Sequence, residues 1–452
     1  MISNRLSRWT LLFFAVALLN FLVAQGVLIS GLTWPAQSLS APVTLIAVHL
    51  LTIGWLLLLM LGALFQFIPV ITSRPLPSQT LTLVTLIAIE LGLIGMVCGF
   101  LALNFANALL AHCLPVGGAL VIVGVLLACY DIGVPLLKAR PMSLPARLVL
   151  TGLAFLLLTV TLGLLLALAL SVSGFAVYVA PLLAQGVAYH ALAGLGGWFT
   201  LTAMGVSYKL LPMFTLAPEE RGRAGEAVLQ LGATGFALAV AAGLIRAWHP
   251  APLLSILSWL GDVLVALAIG IYLWDVVRIF RSRKRAVIEL HNKAAVGAFI
   301  MLGGTTLLAI VLMSLGVFAA HVGVFVFLVL FGWLSGLGLT QLYKIVPFLT
   351  WLGRFGQQLG RGPVPRVQDL VDEAHSYPWF VIYFIAVLLA ALAGFAGSAF
   401  VFQAGVGLSA LATIGLAFEY WRAWRAYYPR LRPSKPPVPP FKPGEGIIHG
   451  QH

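Results

Sequence analysis

A Gly-Trp pair, with a proline fourteen residues after the tryptophan, recurs three times in this chain. Each copy lies in a long apolar stretch, and a histidine precedes each pair. The copies are Gly54-Trp55 with Pro69, Gly197-Trp198 with Pro212, and Gly332-Trp333 with Pro347, and the histidines are His49, His190 and His321. An internal repeat constrains the architecture before any other feature is read. We therefore predict one membrane unit used three times, with a histidine on the equivalent helix of each unit.

The apolar stretches around these motifs are long enough to cross a bilayer. The chain is 61% hydrophobic and 9% charged, whereas soluble domains carry about 25% charged residues. Runs of about 18 or more apolar residues predict membrane-spanning helices. We predict an all-α integral membrane protein with twelve spans, at about 10–32, 42–71, 80–104, 107–135, 147–172, 178–212, 226–247, 251–279, 293–316, 318–350, 377–400 and 402–425.

A second repeated feature divides the twelve spans into three four-helix units. The fourth, eighth and twelfth spans each end in an aromatic-acid pair followed by basic residues, with the acids Asp131, Asp275 and Glu419. The predicted units are 1–140, 141–285 and 286–432, followed by a proline-rich cytoplasmic tail, 433–452. We expect each acid to meet a nearby basic group, because an ionised carboxylate in a membrane helix needs a partner or water.

The distribution of basic residues predicts how the chain is oriented. The net charge is +13, and 25 of the 26 Lys and Arg residues fall on the side of the termini and the even-to-odd loops, with only Arg246 on the other side. This is the positive-inside bias of membrane proteins, so the charge indicates topology and lipid contact, not nucleic-acid binding. Both termini are predicted to be cytoplasmic, and the histidines to lie near the outer ends of their spans.

The three histidines are candidate ligands, because a histidine in a membrane helix is costly and often functional. A neutral imidazole can ligate a metal or haem iron, relay protons, or donate a hydrogen bond to a backbone carbonyl. Three histidines at one depth favour ligation. His112, near the outer end of the fourth span, is either a further ligand at that depth or a helix-packing residue.

The arrangement resembles the catalytic subunit of haem-copper oxidases and nitric oxide reductases, in which twelve spans form three groups of four. The resemblance covers nearly the whole chain in topology but few individual residues. It implies that His49 and His321 are the axial pair of a b-type haem, with His190 as another partner or the ligand of a second haem. The family's copper ligands are missing: the span 226–248 has no histidine and the tenth span has one where the family has two. We therefore expect no binuclear copper site and no dioxygen reduction, as in a divergent relative comparable to the NnrS-type haem membrane proteins.

Counting from the Gly-Trp motif leaves the axial pairing open. His49, His190 and His321 precede their tryptophans by six, eight and twelve residues. On ideal α-helices, His49 and His321 then differ in depth by about 9 Å. The same spacing points His190 and His321 in similar directions and His49 away from both.

Other residues have weaker assignments. By analogy, Arg246, in the outer loop after the seventh span, is expected to bind a haem propionate. Trp55, Trp198 and Trp333 are interpreted either as core residues or as cofactor contacts. Glu90 and Asp262 lie within spans and are expected to be protonated acids bonded to a neighbouring helix, proton carriers or contacts for a quinone hydroxyl.

The leading hypothesis is a haem-binding membrane protein of a bacterial or archaeal cytoplasmic membrane, acting in electron transfer or in the chemistry of nitric oxide or another diatomic gas. The sequence does not decide whether the protein is an enzyme, although an oxidoreductase subunit fits. One alternative is a membrane anchor that exchanges electrons between quinol and a periplasmic redox protein. Others are a haem-free transporter or metal-handling protein, and a bundle whose histidines only pack.

Overall fold

The fold is all-helical in a computed structural model that describes residues 4–219, 222–359 and 364–425. These ranges contain no strand. We number the long helices α1 to α12, and they run as Asn4–Ile29, Pro42–Thr72, Gln79–Asn104, Cys113–Lys138, Leu144–Ser171, 182–215, Arg223–Trp248, Pro252–Arg281, Leu290–Ser314, Phe318–Arg354, Glu373–Phe395 and Ala399–Arg425. Short helical turns lie between them at Ala108–Ala111, Ser173–Ala176, Gly356–Gln358 and Val367–Leu370.

Eleven helices in the described part of the chain are long and apolar enough to cross a membrane, which confirms an all-α membrane protein. The predicted sixth span is not among them. Its path, α6, is helical throughout, but glycines, tyrosines and a lysine interrupt its apolar residues. The predicted proline-rich tail, 433–452, lies outside the described residues.

The three Gly-Trp motifs share an unusual backbone: each lies in a π-helical stretch, in which hydrogen bonds join residues five apart. The stretches are Leu50–Leu57 in α2, Leu192–Thr200 in α6 and Leu328–Ser335 in α10. A further π-turn, Leu182–Gly186, begins α6. π-Helices are rare and often occur at functional positions. The repeated motif therefore marks a repeated local backbone, which the sequence did not predict.

The glycine of each motif lies at a close approach between its helix and the preceding long helix. A Cβ atom at Gly54 would lie 2.7 Å from Cβ of Asn20 in α1, and one at Gly197 would lie 2.3 Å from Cγ of Phe155 in α5. The third glycine packs in the same way against α9. Only a residue without a side chain allows these approaches.

The same contacts between helices recur along the chain. In addition to these glycine contacts, α3 packs on α4, α7 on α8 and α11 on α12. Further contacts join α4 to α5, α8 to α9, and α12 back to α1. The π-helical stretch of α10 contacts those of α2 and α6, so the motif helices meet at the centre.

The tryptophans of the motifs are buried and make directional contacts between these central helices. Trp55 Nε1 donates to Ser335 Oγ at 2.8 Å, and Trp333 Nε1 donates to Thr200 Oγ1 at 3.4 Å. Both acceptors lie two residues after a motif tryptophan. Trp198 Nε1 has no hydrogen-bond acceptor among the described residues. The corresponding position of the first copy is Leu57, which has no hydroxyl.

The expected partners of the three repeated acids are found in two cases. Arg278 Nη1 lies 3.3 Å from Asp275 Oδ1, and Arg422 Nη1 lies 3.1 Å from Glu419 Oε1. The expectation is wrong for Asp131, which forms no ion pair with a described residue and accepts a hydrogen bond from the Ser78 backbone N–H. A backbone donor bonds to Oδ1, while the buried Oδ2 has no hydrogen-bond partner among the described residues.

Candidate functional site

His49 lies eight residues into α2 and is half-buried. Its Nδ1 is 2.7 Å from the carbonyl oxygen of Leu45, one turn earlier. A carbonyl can only accept, so Nδ1 carries the proton and Nε2 keeps a free lone pair. The ring packs against Phe100, with 5.0 Å between ring centroids. This is how proteins hold a metal-ligating imidazole: one nitrogen fixes the tautomer and the other is available.

His190 in α6 is held in the same way by a different helix. Its Nδ1 is 3.0 Å from the carbonyl oxygen of Thr159 in α5, which again leaves Nε2 free. One turn further along α5, a Cβ at Gly163 would lie 3.0 Å from Cε1 of His190. The glycine thus gives the imidazole its room, and the neighbouring helix fixes its orientation.

His49 in α2 and His190 in α6 each lie shortly before a motif tryptophan. Their positions relative to those tryptophans differ by two residues, against six for His49 and His321. His321 packs against Phe395, with 5.0 Å between ring centroids. Its ring nitrogens make no hydrogen bond with a described residue, so its tautomer is not fixed in this way. His49 and His190 therefore share a fixed tautomer that His321 lacks.

The remaining candidate ligand, His112, is exposed at the beginning of α4. Across the described ranges, no three His, Cys, Asp or Glu side chains converge as they do around a protein-bound metal ion. A pair of axial imidazoles has only two ligating residues and is not such a cluster. The donor set that the structure offers is therefore two neutral imidazoles, which suits haem iron better than a closed metal site.

The motif tryptophans belong to the core. Trp55, Trp198 and Trp333 are at most 1% exposed, and Trp55 stacks on Phe21 with 4.8 Å between ring centroids. Trp55 and Trp333 form hydrogen bonds between central helices, and Trp333 also lines a cavity.

This cavity, called here the lateral cavity, has a volume of about 520 Å³ and is lined by residues from α6 to α10. Its walls are mostly apolar. The polar side chains on it include Tyr189, Arg246, Ser255, Asp262 and Thr305. None of the three repeat histidines is among the described residues that line it. The cavity is thus distinct from the imidazole pair.

Arg246 is placed differently from its prediction. It lies in the last turn of α7, not in a loop. Its Nη2 donates to the Tyr189 hydroxyl at 2.9 Å and its Nη1 to Ser255 Oγ at 3.4 Å, while Nε has no partner in the described part of the chain. These contacts place Arg246 on the lateral cavity, and its assignment to a haem propionate stays a prediction.

The two carboxyls within spans have different surroundings. Asn20 Nδ2 in α1 donates to Glu90 Oε1 at 2.7 Å, so Glu90 is bonded to a neighbouring helix, as one of the interpretations expected. Asp262 lines the lateral cavity and makes no hydrogen bond or ion pair with a described residue. Asn20, Tyr189 and Thr305 were not predicted, because nothing in their sequence surroundings distinguishes them.

Comparison of the chain with protein-family models and with curated proteins finds no match.

Proposed function

We propose that the chain is a haem-binding integral membrane protein that acts in electron transfer or in the chemistry of nitric oxide or another diatomic gas. The observation that carries the proposal is that His49 and His190 are held in the same tautomer by backbone carbonyls. Each donates through Nδ1 to a backbone carbonyl and keeps Nε2 free. A packing histidine could also donate through Nδ1, so the free Nε2 lone pair on both rings is the feature that supports ligation.

We propose His49 and His190 as the axial pair of a b-type haem. The common tautomer of the two rings, fixed in each case by a backbone carbonyl, supports this pair. The family resemblance instead pairs His49 with His321, so His321 remains the alternative ligand and the candidate for a second haem. Bound haem supplies one-electron transfer when both axial positions are filled, and gas binding when one is open.

The surrounding side chains have a structural task in this proposal. The carbonyls of Leu45 and Thr159 hold the imidazoles in the ligating tautomer. Phe100 packs beside His49 and limits water at the ring. Such outer contacts orient a ligand and raise its basicity.

We also propose that α6 is a twelfth span and that the chain forms three units, 1–140, 141–285 and 286–432. The glycine approaches, the tryptophan hydrogen bonds and the recurring helix contacts support this arrangement. The positive-inside bias supports cytoplasmic termini in a bacterial or archaeal inner membrane.

The test is the visible spectrum of protein purified from cells supplied with a haem precursor. We expect a Soret band and a sharp α-band on reduction, with haem b identified by the pyridine haemochrome. His49→Ala and His190→Ala should each remove most of the bound haem, and His321→Ala should retain it. His375→Ala is the control, because His375 is exposed and bonded to Asp372. If His321→Ala loses the bound haem and His190→Ala retains it, the axial pair is His49 with His321, as the family resemblance implies. A fully folded preparation without visible absorbance would refute haem binding.

A further inference from the structure

The lateral cavity has the size and composition of a ligand site. Small-molecule sites usually have volumes of about 300–1,000 Å³, with apolar walls and a few polar groups. The cavity, at about 520 Å³, has both properties. It lies among α6 to α10, and its lining includes Tyr189 and Ala191 on either side of His190 in α6, but not His190.

Hydrogen-bonding groups on the cavity wall lack partners. Thr305 is 4% exposed, and its Oγ1 bonds to no described residue. Arg246 Nε is buried and also without a partner, and Asp262 makes no polar contact in the described ranges. Burying an unsatisfied polar group costs about 1–3 kcal/mol. Two such buried groups, with the half-buried Asp262 carboxyl on the same wall, indicate a ligand that bonds to them.

The charges on the wall restrict the head group of that ligand. Arg246 would attract an anion, but an ionised Asp262 would repel it. A cation would be attracted by Asp262 and repelled by Arg246. A neutral group with carbonyl or hydroxyl oxygens can accept from Arg246 and Thr305 and either accept from or donate to Asp262. The charge pattern therefore favours a neutral head group.

The mouth of the cavity indicates how the ligand enters. Trp259, Ile310 and Met313 line the cavity and are at least 40% exposed on the surface of the bundle. They belong to α8 and α9, which are long and apolar enough to span a membrane. An apolar tail leaving through this mouth would lie among lipid chains.

We propose that the lateral cavity binds a quinone-class molecule, a neutral ring with carbonyl or hydroxyl oxygens on an apolar tail. Thr305 and Arg246 donate to its oxygens, and the tail passes between α8 and α9. Binding does not depend on haem. Electron exchange between this molecule and a haem would rest on the function proposed above.

The test is a titration of the full chain in lipid nanodiscs with decylubiquinone, followed by quenching of tryptophan fluorescence. Trp259 and Trp333 line the cavity, so we expect a saturable component above the linear effect of partitioning into lipid. Ala266→Phe fills the cavity and should weaken binding at least tenfold. The matched control is Leu267→Phe on the same helix, because Leu267 is exposed and outside the lining.

A second pair of variants tests the polar contact without changing volume. Thr305→Val removes the free hydroxyl and should weaken binding about tenfold. Thr306→Val is the control: Thr306 also lines the cavity, but its hydroxyl already donates to the Leu302 carbonyl at 2.8 Å. We expect its affinity to stay within about twofold of the parent.

The proposal would be overturned if quenching in the parent protein rose only linearly with quinone concentration. It would also be overturned if the test variant and its control, in either pair, weakened binding equally. A tightly bound phospholipid, seen by native mass spectrometry and lost in Ala266→Phe, in a protein that binds no quinone, would overturn it as well. Saturable quinone binding in a colourless preparation would support the quinone site and refute haem binding. A haem spectrum without saturable quinone binding would support haem binding and refute the quinone site.

Discussion

The interrupted set of tryptophan hydrogen bonds tests the three-unit arrangement most directly. If Ser335, Thr200 and Leu57 are equivalent positions, a hydroxyl at 57 should accept from Trp198 Nε1. We propose comparing Leu57→Thr with Leu57→Val. Leu57 is 3% exposed, so both variants lose core packing. Threonine and valine have nearly the same shape, so that loss largely cancels and the difference reports on the hydroxyl.

The expected difference follows from the two existing bonds. Thr200 Oγ1 donates to its own helix at the Leu195 carbonyl while it accepts from Trp333. A threonine at 57 can satisfy its own proton in the same way, so its hydroxyl need not cost stability. Giving a partner to the buried Trp198 N–H should then make Leu57→Thr more stable than Leu57→Val by about 1 kcal/mol.

The assay is equilibrium unfolding in mixed detergent micelles, with both variants also made in a Trp198→Phe background. The threonine advantage should disappear there, as in a double-mutant cycle of two residues in contact. An equal or lower stability of Leu57→Thr, or an advantage that persists without the indole, would contradict the equivalence of the three motif helices.

Two further predictions concern packing and charge. Gly197→Ala places a methyl 2.3 Å from Phe155 Cγ, so we expect a loss of about 1–3 kcal/mol in unfolding experiments, partly restored by Phe155→Leu; no loss would mean that α5 and α6 are not in this contact. Glu289 precedes α9, and its side chain is 10% exposed beside Lys344. Burial raises its pKa, but the hydrogen bonds from Lys344 and Gln368 outweigh burial and hold the pKa below its ordinary value. The carboxylate should therefore stabilise the fold at neutral pH and lose this effect as the pH falls through the folded-state pKa. Glu289→Gln should cost about 3 kcal/mol at pH 7, with the gap to the parent narrowing below about pH 4, whereas a gap independent of pH would show that the charge is not responsible.

The sequence predicted the class of fold because apolar length and charge asymmetry are one-dimensional signals. It could not predict the π-helical stretches around Gly54, Gly197 and Gly332, because these depend on neighbouring helices. Each π-turn holds an extra residue. The direction in which a side chain points, worked out from α-helical spacing, is therefore wrong on the far side of the π-turn. This is why the motif register left the partner of His49 open, and why Thr159, on another helix, had to be seen beside His190.

The two carboxyls within spans show what a structure adds to such a sequence. Glu90 and Asp262 look alike in the chain, each an acid in an apolar helix without a local counter-charge. Glu90 is satisfied by Asn20 from α1, so the fold itself explains it. Asp262 faces a cavity in which Thr305 and Arg246 also have unused hydrogen-bonding groups. The membrane interior has no water that could form hydrogen bonds with such groups, so they need a ligand as their partner. His49 and His190 are similar, because one ring nitrogen of each is bonded to the chain and the other is free for a ligand from outside it.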